Sequence, residues 1–322
     1  MTNRKCHVAI AICTLQRPKM LENCLISLSK QQQPPDTKIT IVVIENDIRG
    51  PSRALVENLY VSLFKSQNID VIFCVEPERG IPYARNKALA TCRKLKPDWV
   101  AFIDDDETAA PEWLKSHLNA QEEFEADVLY GQVHSIYEVE PPAWFEYPKY
   151  KREHGKILKR AATNNVFMDF WIVDPDGLNL NFDTHFSQGH EDTEFFERAR
   201  ALGAKIVLNQ KALVTEFVPA SRLTFKRHVT RMFQNSVTDT YEQIYKRGWW
   251  YAFFKQIMTL NHYSRFIRGI LALILAALIM PFSNTTGQRT FFYGVKRLVK
   301  VVGSFYGLTN RQVKYWDTID GY

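Results

Sequence analysis

The chain has 322 residues, enough for one large domain or two smaller ones with ample core. Hydrophobic residues make up 46% and charged residues 24%, which excludes a disordered chain. The net charge of +6 hides an asymmetry: from Arg222 onward there are 15 Lys and Arg against 4 Asp and Glu, whereas the rest holds 26 basic and 31 acidic residues.

In chain order, His7 to Cys13 reads as a buried strand. Pro18 to Lys30 carries apolar residues at helical spacing, with Pro18 suited to a first turn. Ile39 to Ile44 is a second strand, Pro51 to Ser66 a helix, Asp70 to Val75 a third strand and Pro82 to Leu95 a helix. Trp99 to Ile103 is a fourth strand. This alternation predicts a right-handed α/β sheet, mostly parallel, flanked by helices. A helix to about Glu125 and a strand at Asp127 to Val133 follow. Phe145 to Arg160 reads as a loop with a short helix, and Ala162 to Asp169 as a strand. Phe182 to His190 is a loop before a helix from Glu191 to Leu202, which Gly203 closes. Lys205 to Leu208 and Ala212 to Glu216 are two short strands, and from Ser221 the chain looks helical.

The stretch Phe102-Ile103-Asp104-Asp105-Asp106-Glu107 carries the chemistry. A strand ending in clustered carboxylates puts hard oxygen ligands at the carboxyl edge of a sheet, where open α/β sheets bind ligands. Such a cluster suits Mg²⁺ or Mn²⁺ gripping phosphates. A solvated acidic loop capping the next helix is the plainer reading. Thr14-Leu15-Gln16-Arg17 and Glu45-Asn46-Asp47 leave the first and second strands at the same rim. Arg79 to Asn86 enters it from the third, where Arg85 suits a phosphate or a base, or an ordinary surface ion pair. Asp47 also suits a turn, and Asp192 a helix cap. His134, His154, His185 and His190 lack metal-ligand spacing.

Five motifs in order carry a resemblance: Thr14-Leu15-Gln16-Arg17-Pro18, Val42 to Asp47, Gly80 to Asn86, Asp104 to Glu107, and Gly189-His190-Glu191-Asp192-Thr193-Glu194. Over about Val8 to Pro219 the chain resembles a family 2 glycosyltransferase of the GT-A fold. It is similar to bacterial exopolysaccharide glucosyltransferases of the succinoglycan type. The resemblance implies a Rossmann-like sheet and inverting, metal-dependent transfer from a nucleotide sugar, a UDP-sugar by preference. The nucleotide-sugar contacts it implies are Thr14, Arg17, Glu45, Asp47, Arg85, Asn86, Asp104 and Asp105. Asp106, with Asp104, would hold Mg²⁺ or Mn²⁺ in the manner of a DXD motif. Asp192 would be the general base, and Glu191 would hold the acceptor or orient Asp192. Two departures stand out: Glu45 replaces the usual Asp, and His190 stands where many relatives carry a second glycine.

Sugar transfer with inversion needs a carboxylate to deprotonate the acceptor hydroxyl and a stabilised leaving diphosphate. Two acidic sites well apart in sequence allow that division of labour. The expected domains are 1–220, with a nucleotide-sugar half 1–110 and an acceptor half 111–220, and a basic helical region 221–322. In that region Gly269 to Phe282 is an unbroken apolar run of 14 residues, short of the roughly 20 a spanning helix needs. Together with the basic charge it predicts a peripheral or monotopic anchor on an anionic membrane surface, and no nucleic-acid partner. A buried hydrophobic helix is the alternative. No signal peptide is visible, and five cysteines without a CxxC pair suggest reduced thiols. The expected location is the cytoplasmic face of the plasma membrane, with a lipid-linked or polysaccharide acceptor of cell-surface glycan synthesis. The rivals are a non-catalytic membrane-associated glycan- or nucleotide-binding scaffold and a sugar-nucleotide nucleotidyltransferase. The second would want a Gly-rich, Lys-bearing loop after the first strand, which Thr14 to Arg17 is not.

Overall fold

The computed structural model describes residues 6–148, 153–187 and 189–311. They form two compact units: residues 6–136 with 153–217, and residues 137–148 with 218–311.

The first unit is built on a sheet whose strands are β1 (Cys6–Thr14), β2 (Thr37–Glu45), β3 (Asp70–Val75), β4 (Trp99–Ile103), β5 (Glu107–Ala109), β6 (Val128–Tyr137), β7 (Asn165–Asp169) and β8 (Ile206–Val218). Their order is β3-β2-β1-β4-β7-β6-β8-β5. β1, β2, β3 and β4 pair in parallel, as βαβ crossovers require. β7 pairs antiparallel with β4 and β6, and β5 antiparallel with β8. The sheet is therefore mixed, parallel only in its first half.

Strand residues alternate between two apolar layers, as the two-residue period dictates. Val8, Ile10 and Ile12 face one layer, which includes Leu21, Leu25 and Leu28 of α1 (Pro18–Ser29) and Trp113 of α4 (Trp113–Phe124). Ala9 and Ala11 face the other, with Ala84, Ala88 and Leu89 of α3 (Ile81–Leu95) and Phe195 and Phe196 of α5 (Glu191–Ala201). Burial on both faces explains why the early strands read as continuous apolar runs.

Several expectations need correction. The helix expected over Pro51 to Ser66 is α2 (Arg53–Leu59), then a π turn at Tyr60–Phe64 and a 3₁₀ turn at Lys65–Gln67. The wider turn accompanies complete burial of Phe64. The two strands expected after Gly203 are one, β8, because the polar Asn209-Gln210-Lys211 between them keeps extended pairing. Glu107, expected in an acidic loop, instead opens β5 and pairs with Glu216. Among the described residues of Phe145 to Arg160 there is no helix, and part of that span lies outside them.

The second unit contains α6 (Phe225–Arg247), α7 (Trp249–Met258), α8 (Leu260–Ile279) and α9 (Asn284–Gly307). α8 runs 20 residues with mean hydropathy 1.5, so by length and composition it is long enough to cross a membrane. It exceeds the apolar run that starts at Gly269 because the helix begins nine residues earlier and includes Arg265 and Arg268. α8 and α9 cross closely at two glycines. A Cβ on Gly294 would stand 2.9 Å from the Gly269 carbonyl oxygen, and one on Gly269 would stand 2.8 Å from the Leu298 side chain.

Candidate active site

β1 lies at the point where strand order reverses, with β2 and β3 on one side and β4 on the other. Crevices form at the carboxyl ends of strands on either side of such a reversal. Thr14 ends β1, and the acids follow β4. The Thr14 hydroxyl donates to Asp105 Oδ2 at 2.7 Å, and Arg17 Nη1 donates to Asp105 Oδ1 at 3.3 Å. Arg17 also lies 3.7 Å from Asp106 Oδ2. Asp105 is thus committed to the protein.

The acidic turn is held from below by Glu107, which is 2% exposed. Its Oε2 accepts from the Asp104 amide at 3.2 Å, and its Oε1 accepts from Asn164 Nδ2 at 3.1 Å. Tyr130 donates to Asn164 Oδ1 at 3.3 Å. Burial and its acidic neighbours push the Glu107 carboxyl well up. Burial first, then repulsion from Asp106, Asp105 and Asp192, raises Asp104 to about 7 against the opposing pull of Arg85. Asp105 is raised to about 6, mainly by burial, against the pull of Arg17.

Arg85 joins this turn to a second acidic pair. It is 7% exposed, makes a buried ion pair with Glu191, and lies 4.0 Å from Asp104 Oδ1. The surface-pair alternative for Arg85 is thereby replaced by a buried one. Burial, then Asp192, raises the Glu191 carboxyl despite Arg85, and Glu191 Oε2 is buried with no hydrogen-bond partner. Asp192 is half-buried in the first turn of α5, and its Oδ1 accepts from the Thr193 amide at 2.6 Å. The N-cap is His190, in the left-handed region with φ 71°, and it makes no side-chain cap bond. Asp192 Oδ1 thus serves one first-turn amide of α5, as a capping carboxylate would, while its second oxygen is left for another role.

Around the second strand the side chains are engaged with one another. Glu45 is fully buried and accepts from the Gln16 amide at 3.1 Å and from Ser52 Oγ at 2.6 Å. Burial raises its pKa. Asp47 is held by Arg49 and Gln16, with Arg49 Nη2 at 2.6 Å, and hydrogen bonding to Arg49 keeps its carboxyl well below the usual range. Asn46 gathers the loop before α3: its Nδ2 donates to the carbonyls of Glu76 and Glu78, and its Oδ1 accepts from the Gly80 amide at 2.9 Å. Gly80 sits at φ 139°, where a side chain would be strained. Asn86 clasps the Phe182 backbone with two 2.8 Å bonds, so its amide secures a loop. Ser52 and Asn164 belong to the site without being marked by the sequence, and Gln16, Asn46 and Glu107 lie inside the rim motifs without having been given a role of their own. For Ser52 and Asn164 polarity alone is the available signal.

The residues suit a divalent cation. Three carboxylates share one turn, and their mutual repulsion, which a hard cation relieves, helps raise two of them. Asp105 already accepts from Thr14 and Arg17, which leaves the half-buried Asp104 and Asp106 as the readier donors.

Residues 9–174 match the model of the glycosyl transferase family 2. The succinoglycan biosynthesis protein ExoM of Rhizobium meliloti (strain 1021) is 28% identical over 245 residues, covering 74% of this chain and 75% of that protein. YfnE of Bacillus subtilis (strain 168), described as a glycosyltransferase, is 26% identical over 48% of this chain and 36% of that protein. Residues 1–349 of S. aureus TarS, solved in complex with UDP, share the fold, with TM-score 0.53 and 16% identity over 98% of this chain and 95% of that one. TarS has also been solved with UDP-GlcNAc, with the same TM-score. A family match over half the chain, placed on this sheet, means that the chain belongs to glycosyl transferase family 2 and has the GT-A fold.

Proposed function

We propose that this chain transfers a sugar, with inversion, from a nucleotide sugar of the UDP class to a lipid-linked or polysaccharide acceptor at the cytoplasmic face of a membrane. One observation carries the reading. Arg85 brings Asp104 of the first acidic cluster and the Glu191-Asp192 pair together at the reversal point of the sheet. A donor seated there has one carboxylate group near its diphosphate and another near its anomeric carbon. The complexes of TarS with UDP and UDP-GlcNAc support the donor class. The name of ExoM supports a glycan acceptor.

In this mechanism Asp192 accepts the proton of the acceptor hydroxyl as its oxygen attacks the anomeric carbon. The bond from that carbon to the diphosphate breaks, and its electron pair leaves with the nucleoside diphosphate. Glu191, locked by Arg85, orients Asp192 and the acceptor. Arg85 spreads positive charge between the two acidic sites. Arg17, whose Nε is buried without a partner, supplies a donor that an anionic ligand would satisfy. Thr14 and Glu45 frame the nucleoside pocket, with Asp47 and Asn86 holding its walls. Asp104 and Asp106 would hold Mg²⁺ or Mn²⁺, which stabilises the leaving diphosphate as a Lewis acid when bound.

The test is release of nucleoside diphosphate from a panel of nucleotide sugars, with Mn²⁺ or EDTA and membrane lipid extract. Metal-dependent release with one donor, lost in Asp106→Ala and Asp192→Asn, supports the reading. Normal turnover by Asp192→Asn sinks the base assignment and points to Glu191. Nucleotide binding without turnover of any donor favours a scaffold.

A further inference from the structure

Two helices of the second unit turn their large apolar residues outward. α8 buries only His262, Gly269, Ala272 and Ala276, and α7 buries only Ala252 and Gln256. Their large apolar residues face outward instead. Tyr263, Ile267, Ile270, Leu271, Ile274 and Leu278 are 40–64% exposed. They recur at three- and four-residue spacing along α8, so they form one continuous stripe. On α7, Trp250, Phe254 and Met258 are 67%, 53% and 76% exposed, again at four-residue spacing. Only Thr259 separates the two helices. A water-soluble unit rarely leaves two such apolar stripes without a partner.

We infer that α7 and α8 lie in the plane of an anionic lipid leaflet, each with its apolar stripe sunk to the headgroup–acyl boundary. Three observations select this occupant and this orientation. From Gln243 to Arg311 there are ten Lys and Arg and no Asp or Glu. An anionic leaflet complements that charge, whereas a second copy of this chain would oppose it with the same charge. Arg265 and Arg268 lie within α8 but off the stripe, which suits snorkelling toward headgroups. A spanning α8 would carry both arginines into hydrocarbon and leave the polar Ser283-Asn284-Thr285-Thr286 at the far side. Trp249, Trp250 and Tyr251 open α7, and such aromatics favour the headgroup level. The inference rests on the membrane part of the proposed function, which it deepens, and does not depend on donor chemistry.

The experiment places single cysteines at Tyr263, Ile267, Ile270, Ile274 and Leu278 of the full chain and labels each with an environment-sensitive fluorophore. The unsubstituted chain serves as the labelling blank. Vesicles of phosphatidylcholine with about one-third phosphatidylglycerol are compared with pure phosphatidylcholine, and lipids brominated at graded depths give each label's depth. Quenching of the native tryptophans in the unsubstituted chain provides a reading free of substitution effects. The expected result is binding that needs anionic lipid and weakens with salt, and all five labels at one depth of about 5–10 Å below the headgroups. Depth that grows along the helix, by about 22 Å from position 263 to 278 at 1.5 Å per residue, would show a spanning helix and overturn the inference. So would labels shielded in a dimer without vesicle binding. Nucleoside diphosphate release, read in parallel, reports on the transferase reading separately.

Discussion

The hydroxyl of Thr14, at the end of β1, donates to Asp105 Oδ2, beyond the end of β4, at 2.7 Å. This bond closes the seam where the strand order reverses and ties one oxygen of Asp105 to the first strand. Replacing Thr14 by Val keeps the shape and removes the donor. The expected cost is about 1 kcal/mol of stability. Steady-state kinetics should show KM for the donor rising several-fold while kcat stays within about threefold, because the reacting groups are untouched. A fall in kcat without change in KM would instead place Thr14 at the reacting centre.

Arg85 and Glu191 form a buried ion pair. Removing one partner leaves an uncompensated charge, so Arg85→Met should destabilise the protein by about 3–5 kcal/mol in urea unfolding. Arg85→Met combined with Glu191→Met should recover much of that loss. Additive losses in the double variant would mean that the two side chains do not act as a pair.

The acids of the β4 turn repel one another, so a divalent cation should stabilise the fold. At a hundredfold excess over Kd, Mn²⁺ should contribute about 2.7 kcal/mol and raise Tm by roughly 5–10 °C. EDTA should reverse the shift, and Asp106→Ala should abolish it. Calorimetric scans read this without any donor or acceptor.

His117 is fully buried, between Trp113 and Phe167 and against Asn165, and burial lowers its pKa to about 3. In the unfolded chain it titrates near its ordinary value of 6.5. The unfolded state therefore binds the extra proton between these values, and the stability from this group is full above pH 6.5 and is lost as pH falls below it. The expected contribution to that loss is about 2 kcal/mol by about pH 5. The raised carboxyls of Asp104 and Asp105 act in the opposite sense as pH falls below about 7, so the comparison that isolates His117 is wild type against His117→Gln. The variant should lose less stability than wild type between about pH 7 and pH 5. Parallel curves would refute the assignment.

Much of the parallel half was legible because its signals are local. β3 and β4 fall where the apolar runs place them, at Asp70–Val75 and Trp99–Ile103. Pro18 and Pro82 mark the first turns of α1 and α3. The same locality explains why β8 reads as two strands: Asn209-Gln210-Lys211 look like a turn, and only the surrounding sheet keeps them extended. Glu107 shows the limit more sharply. Beside three aspartates it looks like a fourth rim acid, and only its pairing in β5 and its bond to Asn164, 57 residues away, reveal it as the support beneath the turn.

The sequence by itself determined the alternation of strands and helices through β4 and the identity of the acidic motifs, because periodicity and residue chemistry are carried by neighbours along the chain. Tertiary structure alone decided which acids are committed and to what: Asp105 to Thr14 and Arg17, Glu191 to Arg85, and Glu107 to the backbone of Asp104. It alone decided that the large apolar residues of α8 face outward. Those outcomes depend on contacts between residues tens of positions apart, and on which side of a helix finds a partner, and neither is written in local spacing.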